Sequence, residues 1–200
     1  IPTQWLSQVG MAWAEDIGGL AAVLAIAAVL QAATLAVIYL MCREEGSQLA
    51  AAVACMACFM ALAAAFTPRP QVASYLFFAL TVAAWRRAER TGRAPLMLIP
   101  LTWLWVPIHG MWPIAVALGL VMAIGLSLDR SIAGRSRLLA FAVPTASLLL
   151  ASATPVGLSI FEGVLEVGSR RAYFAEWAAP DFTDVRAIGV LLMAAVVLVA

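Results

Sequence analysis

The chain has 200 residues, of which 64% are hydrophobic and 12% charged. A soluble domain carries roughly 25% charged residues, so this chain cannot cover itself with a hydrated surface and reads as an integral membrane protein solvated by lipid. The formal net charge of +1 offers no electrostatic footprint for nucleic acid.

A first interfacial helix is predicted at the amino end, where Trp5, Val9 and Trp13 recur at four-residue spacing beside Gln4, Gln8 and Glu15. Apolar runs then follow at 17–41, 48–66, 71–85, 95–107, 111–128 and 138–152, and a last one at 187–200. Read as spans of about 20 residues, they predict an all-α polytopic transmembrane helix bundle, about seven spans in a single domain over 1–200. The chain begins at Ile1 and not at Met, which reads as a piece of a longer membrane protein. All basic residues are Arg, suggesting a bacterial source. Arg43, Arg86, Arg87, Arg90, Arg93, Arg130, Arg135 and Arg137 fall in one set of loops, and Arg69, Arg170, Arg171 and Arg186 in the other. The richer set is placed in the cytoplasm by the positive-inside rule. The expected location is a bacterial inner membrane, multi-pass, with any site facing outward.

No Asp, Glu, Arg or His stands in the middle of a run, which argues against a proton relay or an ion-coupled transporter. Cys55 and Cys58 form a CxxC inside an Ala-rich run with no second ligand pair. They read as small packing residues and not as a metal site.

The outward turns hold the candidates. Arg69 stands between Pro68 and Pro70; a rigid frame around one guanidinium suits a phosphate, and lipid headgroups offer the simpler partner. His109 is the sole histidine, followed by Gly110 and bracketed by Pro107 and Pro113. It reads either as a polar turn residue bonded to a neighbouring carbonyl or as a phosphate donor or acid–base group. Trp103, Trp105 and Trp112 read as an aromatic belt, and two prolines and a glycine predict a break there between two helices. In the last outer loop, Leu158, Phe161 and Leu165 share one face and Glu162 and Glu166 another, predicting a second interfacial helix. Arg170 and Arg171 either bind a diphosphate or pair with Glu176 and Asp181. Glu176 beside Trp177 suits a sugar, and equally an interfacial Trp.

Five segments in order carry a resemblance: Gln4 to Gln8, Arg69-Pro70-Gln71, Trp105 to Gly110, Thr154 to Gly157, and Glu176 to Phe182. Together they resemble bacterial membrane glycosyltransferases of the GT-C type. Pro107 and Thr154 stand where that pattern has Asn. The resemblance implies a sugar donor carried on polyprenyl phosphate, transfer on the outer face, Arg69, His109, Arg170 and Arg171 at the phosphate, and Gln71, Glu176 and Trp177 at the substrate. It leaves a divalent metal open. The family's acidic base belongs to a first outer loop, of which only Glu15 and Asp16 remain as acids here. Expected partners are membrane lipid, the lipid-linked sugar and other membrane proteins. Two further readings stand beside it: a noncatalytic membrane subunit or scaffold, and a transporter or flippase for a lipid-linked intermediate.

Overall fold

A computed structural model describes residues 4–63, 65–129 and 134–169. Among the described residues the chain is wholly helical: α1 (Trp5–Glu45), α2 (Gln48–Leu62), α3 (Gln71–Thr91), α4 (Leu98–Trp105), α5 (Pro113–Leu128), α6 (Gly134–Leu150) and α7 (Ser159–Ser169). The expected all-helical class is observed. The run at 187–200 lies outside the described residues.

The expected interfacial helix and the first long run are joined in α1, which breaks at Gly18 and Gly19. Gly19 has φ 62° and ψ −160°, a region open essentially to glycine alone. The break divides α1 into an amino limb and a longer carboxyl limb. Ile17, Leu20 and Val29 are exposed along it, and α1 is the one helix among the described residues long and apolar enough to cross a membrane.

The other helices depart from the expected spans in informative ways. The run at 95–107 yields only the eight-residue α4, about 12 Å long at 1.5 Å per residue. That is less than half of a hydrocarbon core of about 30 Å, so α4 does not span by itself. Pro95 and Pro107 restrict the backbone before and after it, and Pro100 stands in its first turn. Helices α2 and α5 are apolar but have 15 and 16 residues. Helix α3 runs past its apolar part through Arg86, Arg87 and Arg90 and stops where Gly92 takes a left-handed cap at φ 65°.

Two buried clusters hold the centre. Trp85 and Ala88 of α3, Leu98 of α4, Ala123 and Leu126 of α5, and Ala140 and Val143 of α6 form one. Trp105, Val106, Trp112, Ala115, Val116, Ala151 and Ile160 form the other, where the end of α4, the start of α5 and the end of α6 meet α7. Helices α5 and α6 pack closely, because Gly119 leaves room for Pro144 and Trp85. Helix α1 packs on the flank against α2 and α3. The buried polar side chains among the described residues are Thr34, Ser74, Thr81, Thr102 and Ser147. Thr34 and Thr81 donate to the carbonyls of Leu30 and Phe77 on their own helices, at 2.8 and 2.7 Å, so their hydroxyls cost little inside an apolar bundle.

The charged corners fall at the end of the bundle away from Arg69. Arg86 donates to Glu45 at 2.8 Å and Arg90 to Glu45 at 3.0 Å, and Arg90 also pairs with Glu44. These side chains are nearly half exposed, and such pairs each contribute about 0–1 kcal/mol. They tie the α1–α2 corner to the end of α3.

Candidate functional site

The amino limb of α1, the Arg69 turn and the His109 turn meet at one end of the bundle. The Leu6 amide donates to the Pro107 carbonyl at 3.0 Å, which locks the start of α1 to the His109 turn. The bend at Gly18 and Gly19 brings both limbs of α1 to face the start of α3. Between them lies a cavity of about 440 Å³. Leu6, Gly10 and Ala14 line it from the amino limb, Val23, Ala27 and Leu30 from the carboxyl limb, Val72, Leu76 and Phe77 from α3, and Ile108 from the third side. The wall is almost wholly apolar. Ser7 and Arg69 are its polar exceptions. Gly10, Trp13, Pro68 and Arg69 are exposed at its rim, so the cavity is open to its surroundings.

The rigid turn expected around Arg69 is present. The Arg69 amide donates to the Thr67 carbonyl at 2.7 Å, and its own carbonyl accepts from Val72 at 3.0 Å. The turn therefore feeds directly into α3, and the origin of the Arg69 side chain is fixed. Gln71 spends its side-chain amide within α3, donating to the Tyr75 hydroxyl at 2.8 Å. Tyr75 in turn meets the Phe66 ring edge-on at 6.0 Å. This sets Gln71 as a brace of the turn and does not place it in the cavity wall.

The break at the His109 turn is also as expected, with α4 ending at Trp105 and α5 starting at Pro113. His109 follows the cavity-lining Ile108 but is not itself part of the wall. Its amide donates to the Trp105 carbonyl at 3.1 Å. Its Nδ1 is buried with no hydrogen-bond partner among the described residues, so that atom makes no bond to a neighbouring carbonyl there. Burial pushes the imidazole pKa below its ordinary value, which favours a neutral ring over a cation at a phosphate.

The aromatic belt is corrected at two of its three positions. Trp105 and Trp112 are fully buried, and only Trp103 is exposed. Trp105 stacks on Phe77 at 5.5 Å, and its Nε1 donates to Ser74 at 2.8 Å. Trp112 packs edge-on against Phe161 at 6.0 Å. Their size makes them core fillers where the short α4 leaves space. Helix α7 is amphipathic, but its packed residues are Ile160, Phe161 and Val164. Leu158 and Leu165, expected on the same face as Phe161, are exposed, because i and i+4 from Ile160 select a different stripe. Glu162 and Glu166 are exposed as expected.

Glu15 and Asp16 are exposed just before the α1 break and do not line the cavity. Arg170, Arg171, Glu176 and Trp177 lie outside the described residues. Sequence reasoning missed Trp5 Nε1, which like His109 Nδ1 is buried without a partner among the described residues, and the cavity itself. Thr154, which stands where the resembling pattern has Asn, carries another such atom at Oγ1; Gly157 follows at φ 62° and donates to the Thr154 carbonyl at 2.9 Å. Cys55 and Cys58 are half-buried and free, and Cys55 Sγ donates to the Leu35 carbonyl at 3.5 Å, as a packing residue does. Compared with known protein families, curated proteins and solved structures, the chain finds no match.

Proposed function

We propose that this chain is a GT-C-like glycosyltransferase, multi-pass in a bacterial inner membrane, which takes a sugar from a polyprenyl-phosphate donor on the outer face. The observation that carries the reading is Arg69, fixed between two prolines at the rim of an almost wholly apolar cavity. An apolar chain and an anionic head are the two parts of such a donor. The chain lies against the limbs of α1 and the start of α3. The guanidinium forks onto the phosphate and stabilises the charge that grows as the sugar leaves. His109 follows the lining Ile108 but stands outside the wall, so Arg69 alone is assigned to the phosphate. The base for the acceptor hydroxyl is unassigned, since neither Glu15 nor Asp16 lines the cavity.

That same placement favours a second reading, a noncatalytic membrane subunit that holds a lipid-linked sugar without cleaving it. Reconstitution in liposomes with a radiolabelled polyprenyl-phosphate sugar separates the two. An enzyme binds the donor and releases sugar to an acceptor or to water. A subunit binds it and releases none. Arg69→Gln is expected to weaken donor binding about tenfold in either case, as loss of one charge-assisted pair. Absence of donor binding by the unaltered protein overturns both readings.

A further inference from the structure

The cavity between the two limbs of α1 and the start of α3 also sets how much of a chain it can hold. With about 30 Å³ for each water-sized group, its volume of about 440 Å³ accommodates roughly fifteen carbon groups, or about three isoprene units. We propose that the cavity grips only the three or so isoprene units nearest the phosphate and leaves the rest of a polyprenyl chain in the bilayer. The inference rests on the reading that the cavity receives an anionic amphiphile.

Three features support a short grip. The two limbs of α1 and the start of α3 line the same space because Gly18 and Gly19 break the helix, so the wall meets a chain from several sides. Its exposed rim at Gly10 and Trp13 gives the remainder of the chain a way out. Arg69 at the rim fixes the position of the head, and thus which carbons fall inside. A chain entering from lipid gains no hydrophobic transfer energy, since the tails around it are equally apolar. What it gains is close contact with the wall, and that contact saturates once the space is filled.

The test is direct binding of geranyl, farnesyl and undecaprenyl phosphates, of ten, fifteen and fifty-five carbons, to the full chain in nanodiscs of neutral lipid. Farnesyl phosphate is expected to bind about tenfold tighter than geranyl phosphate, and within about threefold of undecaprenyl phosphate, because contact energy stops growing when the cavity is full. Undecaprenyl phosphate binding more than tenfold tighter than farnesyl phosphate overturns the short grip, as does equal binding of geranyl and farnesyl phosphates. If none of the three binds, the underlying amphiphile reading fails instead. Gly10→Phe locates the grip. Gly10 lines the cavity and a Cβ there meets nothing within 4 Å, so the position accepts a side chain without a clash at Cβ. The variant is expected to abolish farnesyl phosphate binding while thermal unfolding stays near that of the unaltered protein. Should that variant fail to fold, Ser7→Phe on the same wall replaces it. A folded plugged variant that still binds farnesyl phosphate overturns the assignment to this cavity.

Discussion

His109 shows how burial selects the chemistry of one side chain. Its Nδ1 has no partner among the described residues and its pKa is lowered by desolvation. The consequence for stability has a definite sign. Above the ordinary histidine pKa of about 6.5, folded and unfolded states both hold a neutral ring, and pH has no effect through this group. Below it, the unfolded chain takes up the proton first, so the fold loses stability as pH falls until the folded pKa is passed. His109→Gln is expected to flatten that acid loss. The melting temperature in detergent, followed from pH 7.5 to 5, should fall less for the variant than for the unaltered protein. An equal fall in both assigns the loss to other groups.

Among the helices, the contact of α5 with α6 is the one most exposed to a single change. A Cβ at Gly119 would stand 3.1 Å from Pro144 Cβ and 3.3 Å from Trp85 Cζ2. Pro144 cannot turn away, because its ring is part of the backbone, and Trp85 is wedged in the buried cluster. Gly119→Val is therefore expected to destabilise by about 1–3 kcal/mol, the range for overpacking a close-fitted core. A drop in the thermal midpoint checks it. Gly125 lies on the same helix with nothing within 4 Å of a Cβ. Gly125→Ala should instead be neutral or stabilising by up to about 1 kcal/mol, from helix propensity alone.

At the scale of the molecule, the two ends differ in kind. One end gathers Glu44, Glu45, Arg86 and Arg90. The other gathers the amino limb of α1, Arg69 and the His109 turn. With Cys42, Cys55 and Cys58 replaced, single cysteines at Gln8, Arg69 and Gly110 are expected to react with an impermeant reagent added outside intact cells. A cysteine at Glu89 is expected to react only after permeabilisation. Labelling of position 69 from the cytoplasmic side alone would invert the topology and remove the outward site.

Much of this arrangement was legible in the residues. Arg alternation sorts the ends, Pro and Gly mark the turns at Arg69 and His109, and apolar runs give the helices, because charge, backbone restriction and hydropathy act locally along the chain. The length of α4, the burial of Trp105 and Trp112, and the packed stripe of α7 were decided by tertiary structure. An indole suits an interface or a core equally well in composition, and only the space left beside a short helix determines which it fills. The cavity belongs to the same class. Its walls come from residues far apart in sequence, such as Leu6, Ala27, Val72 and Ile108, and they meet because one glycine pair bends α1 back toward α3. No local pattern encodes that meeting, since a cavity is a property of the distances between elements and not of any one of them.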